Sequence, residues 1–181
     1  MLDIKKTILE IIEEAEVNMD GVGVVFDNDI DKLSICTYVR YNNVLGFAVD
    51  VSDAIDVKFN IKAIEKNIKD IFMFKRLINK ATRPYLKHLV LHELRHVWQT
   101  KNNKALLVTS ENSFGLNGYG QIPAEADANS FARSKCNTKF EAFVSDVFTY
   151  CQDMHNKSFK TTKDMVTGIK YILKLYGYAI L

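Results

Sequence analysis

The run His92-Glu93-Leu94-Arg95-His96 is the stretch of this chain whose residue types can do chemistry together. On a helix, residues four apart lie on one face, so both imidazoles can close on a single ion. Glu93, one residue on, stands beside that ion, where its carboxylate can take a proton from a water. Two ligands and a base in five residues are the parts for metal-assisted hydrolysis, with Zn2+ as the usual ion. With 4 His and 9 Glu in 181 residues, random placement gives about 0.004 such matches. A proteome therefore holds accidental ones, and the surroundings have to decide.

Those surroundings predict a helix packed on most sides. Pro84 suits a first-turn position, Thr82 is available nearby as a cap, and no Gly or Pro interrupts Tyr85 to Thr100. Lys101-Asn102-Asn103 supplies a stop. Leu86, Leu89, Val90, Leu94, Val97 and Trp98 leave little polar face. Two His and a Glu on a buried helix need partners, because unpaired polar groups are costly away from water. An ion would provide them.

A catalytic zinc usually takes three protein ligands, which sends the search downstream. Pro123 opens a short helix to about Lys135, with Glu125 in its first turn and Asn129 one turn further on the same face. Ala124, Ala126, Ala128 and Ala132 would let it approach the motif helix closely. Glu125 is the expected third ligand, with Asn129 or Asp127 hydrogen-bonding to a ligand and orienting it. The bland alternative is a solvent-facing Glu favoured by the helix dipole, and Asp127 and Glu111 are lesser competitors for the ion.

Together, HELRH and EADANSFA resemble the gluzincin pattern, and most closely the ImmA/IrrE-type metallopeptidases, whose second segment reads like E-x-E-A-N-x-F-A. Glu125, Ala128, Asn129, Phe131 and Ala132 match it. Asp127 stands where that group often has Glu, and Arg95 where it often has Gly. The resemblance covers about 15 residues of motif. It implies zinc held by His92, His96 and Glu125, with Glu93 as the base.

Other polar residues compete for roles. His88 lies one turn before His92, but three turns span about 12 Å, too far for one ion to touch both His88 and His96; packing or orientation of a neighbour is its expected role. His155 continues an apolar stripe, so a satisfied core His is the simpler reading and a transition-state donor the alternative. Tyr119, among Gly115, Gly118 and Gly120 in a polar loop over 109–121, is simplest as a loop residue and alternatively an oxyanion donor. That loop could cover or uncover the site. Asp27, Asp29 and Asp31 imitate a calcium loop, yet Lys32 and Tyr38 replace its required Gly and Glu.

The elements that must position these residues follow from periodicity. Ile4, Ile8, Ile11, Ile12 and Ala15 predict a helix over 3–16. Gly21–Phe26 reads as a strand. Two alternating runs, 33–40 and 45–51, flank Asn42-Asn43 as a hairpin would. Val57–Ile61 is a fourth strand with mixed signals, and as a sheet edge it could pair with an extended substrate. Residues 62–80 look helical before the motif helix. Thr138-Lys139-Phe140-Glu141 is a capping box opening a helix to about 155. The last helix spans 162–176, with Gly177 as its stop.

The length sets one domain over 1–181. The fold expected is α+β, a small antiparallel or mixed sheet beside a helical core carrying the HExxH helix, which the resemblance makes zincin-like. A net charge of +2 is too small to argue for nucleic acid or an anionic membrane. Cys36, Cys136 and Cys151, odd in number and without C-x-x-C spacing, read as small buried hydrophobes in a reducing, cytoplasmic setting. The N-terminal segment mixes charges at helical spacing, unlike a signal peptide or membrane span. The expectation is a zinc metallopeptidase acting on a peptide or specific intracellular protein, in which Glu93 takes a proton from water and delivers it to the leaving amine. A zinc-binding regulatory protein with little turnover is the alternative. Oligomeric state is not legible.

Overall fold

Asp3 caps the first helix, which the periodicity places over 3–16. Its side chain accepts from the Lys6 N–H at 3.1 Å, and α1 runs Ile4–Glu14. Ile4, Ile8 and Ile11 are buried along one face, each contributing about 1.5–3 kcal/mol by leaving water. The computed structural model describes residues 2–28, 36–41, 55–72, 75–103, 105–106, 122–156 and 162–178. After α1 come β1 (Val22–Asp27), β2 (Cys36–Tyr41) and β3 (Ile55–Asn60), then α2 (Ile61–Phe72) and α3 (Lys75–Asn102). Three more helices follow: α4 (Pro123–Ser134), α5 (Lys139–Asn156) and α6 (Thr162–Leu175).

The three strands form a mixed sheet in the order β1-β3-β2. β3 pairs parallel with β1, from Val22↔Ile55 to Asp27↔Asn60, and antiparallel with β2, with an irregularity between Cys36 and Val39. The architecture is α+β, mostly helical. Val57 and Phe59 point into the core while Lys58, between them, is partly exposed, which is the period-2 pattern of a strand with one covered face. Asn60 then ends the strand and caps α2 by accepting from the Ala63 N–H at 3.1 Å. That cap explains the mixed signals around 57–61, where strand and helix share a boundary with no loop. It also corrects an expectation: the strand is central, paired on both sides, and offers no free edge to a substrate. Residues 45–51, the expected second arm of the hairpin, lie outside the described residues.

α3 differs from its sequence reading. It begins at Lys75, not near Pro84, so Pro84 lies inside it and the helix expected over 62–80 is divided between α2 and α3. Thr82 is no cap either; its hydroxyl donates back to the Ile78 carbonyl at 2.7 Å. An interior Pro costs about 3 kcal/mol through a lost hydrogen bond and ring crowding. Burial on both sides of it outweighs that cost, with Ala81, Tyr85, Leu86, Leu89, Val90, Leu94 and Val97 all in the core. Trp98, by contrast, is 40% exposed.

α3 is the central element, packed against α1, α2, β2, α4 and α5. Tyr85 anchors this core: its ring meets Phe148 of α5 at 5.0 Å and Phe72 of α2 edge-on, and its hydroxyl accepts from Asn67 at 2.9 Å. Phe143, Val144, Val147, Phe148 and Cys151 supply the facing side of α5. That helix opens on the expected cap, the Glu141 N–H donating to Thr138 Oγ1 at 3.1 Å, although the Glu141 carboxylate reaches back to the Asn137 N–H. Gly177, at φ +69, closes α6 with the Tyr178 N–H on the Leu173 carbonyl. Among the described residues, no helix is long and apolar enough to cross a membrane. Cys151 is buried as expected, whereas Cys136 is only partly so.

Candidate metal centre

His92 and His96 project from one face of α3, and Glu125 meets them from the first turn of α4. Pro123 occupies the start of α4, where its missing N–H costs nothing. Ala124, Ala128 and Ala132, all buried, form the stripe that brings α4 against α3. Ala126, expected with them, belongs to the outer side and is exposed. Glu125 Oε2 lies 3.1 Å from His92 Nε2, and Oε1 lies 3.4 Å from His96 Nε2. The two imidazole Nε2 atoms are 3.1 Å apart. One ligand atom from each residue lies within 4.8 Å of the others, so the group can hold a metal ion.

The outer nitrogens settle what these inner atoms present. His92 Nδ1 faces Asn129 Oδ1 at 3.0 Å, and His96 Nδ1 faces Gln99 Oε1 at 2.8 Å. An amide oxygen only accepts, so with the amides turned this way each Nδ1 carries a hydrogen and a neutral ring turns a lone pair inward. Glu125 Oε2 is buried without a hydrogen-bond partner at the same spot. Three lone-pair atoms facing one another repel unless a cation sits among them. A proton on His96 relieves part of this: burial works against its charge, but the Glu125 hydrogen bond and Glu93 push its pKa up to about 9. Burial likewise opposes the Glu125 charge, and the two imidazoles outweigh it, holding the carboxyl far below its ordinary range. A divalent ion would satisfy all three atoms. Ligands about 2.1 Å from one ion at tetrahedral angles stand about 3.4 Å apart, close to the separations found here. Two imidazoles and a carboxylate also form the donor set of a zinc site with one position left open.

Glu93 is buried beside this group, its Oε1 4.0 Å from His92 Nε2. Asn129 reaches an imidazole directly, its Oδ1 lying against His92 Nδ1. Asp127 does so only at one remove: it touches no imidazole, but accepts from Gln99 at 2.7 Å and from Arg95 Nε and Nη2 at 2.7 and 3.1 Å. His88, one turn before His92, is buried with Nε2 3.2 Å from Asn129 Oδ1 and Nδ1 2.7 Å from Ser145 Oγ. Burial, with His92 adjacent, takes its pKa down to about 3. It is too deeply enclosed, like Ser145, to meet a substrate.

Tyr119 and Glu111 lie outside the described residues, as does the 109–121 loop. His155 falls on α5, with its side chain outside what is described. Sequence reasoning missed Gln99 and Ser145. Gln99 carried a usable signal, being three residues after His96 and therefore on its face of the helix. Ser145 carried none, since only the packing of α5 on α3 brings it to His88.

No family model, curated protein or solved structure matches the chain.

Proposed function

We propose that this chain is a zinc-dependent metallopeptidase in which His92, His96 and Glu125 hold the ion and Glu93 is the general base. The observation that carries the reading is the convergence of those three ligand atoms within 4.8 Å, with a buried carboxylate next to them. Bound zinc would polarise a peptide carbonyl and make a water acidic enough to lose its proton near neutral pH. Glu93 takes that proton and passes it to the leaving amine, a transfer its position beside the ligands allows. It cannot serve equally as a fourth ligand on the same footing, because it leaves the helix about 100° around from His92. Asn129 and Gln99 hold the imidazoles in the orientation an ion requires. The resemblance of HELRH and EADANSFA to ImmA/IrrE-type metallopeptidases points the same way, towards a protein or peptide substrate. Free thiols at Cys136 and Cys151 support a reducing compartment such as the cytoplasm.

The test pairs metal content with turnover. The native chain should carry about one zinc and cut members of a mixed peptide library, with new termini read by mass spectrometry. Glu93→Gln should keep the zinc and lose cleavage by about 10²-fold or more. Full zinc loading with no cleavage by the native chain would leave a binding protein and end the peptidase reading. No zinc at all would end both.

A further inference from the structure

We propose that Gln99 is a positioning residue of the metal centre, locked by Asp127 and Arg95 so that His96 can present only its Nε2 lone pair to the ion. The inference rests on the metal-centre reading above. Gln99 is wholly buried. Its amide nitrogen has two hydrogens, and both are engaged: one to the Ala124 carbonyl at 2.9 Å, the other to Asp127 Oδ2 at 2.7 Å. Carbonyl and carboxylate oxygens are acceptors only. Turning the amide over would set its oxygen against both of them, so that orientation is closed. The Gln99 oxygen must therefore face His96 Nδ1, which lies 2.8 Å away. Oxygen at that place requires hydrogen on Nδ1, so Nε2 is the nitrogen that can offer a lone pair to an ion.

Asp127 is itself held. Arg95 grips it with two parallel bonds, and the Arg95 guanidinium lies 3.9 Å over the Trp98 ring with Phe131 on α4 at 5.2 Å. Arg95 is thus the outer end of a chain running Arg95–Asp127–Gln99–His96. The same Gln99 amide ties His96 to the carbonyl next to Glu125 in sequence, so one side chain sets two of the three ligands relative to each other. The His92 side lacks this lock: Asn129 Nδ2 is buried with no partner, so nothing there forbids the reversed amide. Arg95 and Asp127, two positions where the chain departs from the motif it resembles, make up the support.

The test measures Zn2+ affinity by competition with a chromophoric chelator, alongside 15N resonances of the His96 ring in the zinc-loaded chain. Gln99→Leu should weaken Zn2+ binding by about 10–100-fold and lose the slowly exchanging His96 Nδ1–H signal. A second variant, Asp127→Ala, keeps Gln99 and changes only a partly exposed side chain, removing one of the two acceptors that hold the amide. It should weaken Zn2+ binding less than Gln99→Leu does and speed exchange of that signal. If Gln99→Leu does not fold, Asp127→Ala carries the test alone. A folded Gln99→Leu that binds Zn2+ as tightly as the native chain overturns the proposal, as does a folded Asp127→Ala with native affinity and a native signal. A native chain that binds no Zn2+ would instead sink the metal-centre reading, a distinct result.

Discussion

Changing Glu125 to Gln separates the proposed third ligand from the proposed base in one measurement. The variant keeps the size of the side chain and removes its charge from between His92 and His96, 3.1 and 3.4 Å away. Four-ligand zinc sites release about 10–16 kcal/mol on binding. One ligand is then worth about 3 kcal/mol, or roughly 100-fold in affinity. Zinc present at 100 times the native Kd stabilises the folded chain by about 2.7 kcal/mol. For a chain of this length each kcal/mol moves Tm by about 2–4 °C, so the native protein should melt about 5–11 °C higher with zinc. At the same zinc concentration Glu125→Gln sits near its own Kd, and the gain falls to about 0.4 kcal/mol, a shift of about 1 °C. Without zinc the variant should be no less stable than the native chain by more than about 1 kcal/mol. The partnerless Oε2 facing His92 can become an amide nitrogen that donates to that ring. Glu93→Gln is the control and should keep the whole zinc-dependent shift. Differential scanning fluorimetry across a zinc titration reads all three proteins. A full shift in Glu125→Gln, or its loss in Glu93→Gln, would show that the ligand and base roles are wrongly divided.

Three further predictions concern the frame around the site. Gly168 of α6 lies against Tyr150, and a Cβ added there would stand 2.0 Å from the Tyr150 ring; Gly168→Ala should cost about 1–3 kcal/mol. In a Tyr150→Ala background the same change should stabilise by about 1 kcal/mol, and a double-mutant cycle that shows no sign reversal refutes the contact. Burial opposes the charge on Glu141, but the Asn137 N–H at 2.8 Å and Lys87 at 3.0 Å outweigh it and lower its pKa. A lowered folded pKa gives stability that is present above the unfolded value of about 4.5 and lost as pH falls through the folded one. Urea melts should accordingly show the gap between native and Glu141→Gln closing from pH 7 to pH 3, and an unchanged gap counts against the assignment. Pro84→Ala restores an N–H for the Lys80 carbonyl inside α3 and should stabilise by ~2 kcal/mol; a lower Tm in that variant would mean that the helix depends on the Pro ring.

What was legible in the chain by itself is what depends on neighbours three or four residues away. The i, i+4 spacing of His92 and His96 puts both on one face wherever that helix is packed. Thr138 and Gly177 mark helix ends because capping bonds are made within a turn or so of the residue that makes them. The same locality explains the errors. Pro84 and Thr82 carry the local marks of a helix start, and burial of Ala81, Tyr85 and Leu86 on both sides overrides them with energy that comes from α1, α2 and α5. Asn60 was hidden for a related reason, since a strand residue that doubles as a cap gives two periodicities at once.

Only the tertiary structure decided the centre. Glu125 stood out in the sequence by type, yet its distance from the imidazoles depends on how closely the alanine stripe of α4 lies on α3. Asn129 and Asp127 were interchangeable as supports in the sequence; packing gave His92 to Asn129, and sent Asp127 to Arg95 and Gln99. The tautomer of His96 is the finest case. It follows from where an amide 2.8 Å away is forced to point, and that is set by a carbonyl and a carboxylate from another helix. Charge, hydrogen bonding and burial act through space, and the order of residues along the chain records only the part of that space each residue reaches on its own helix.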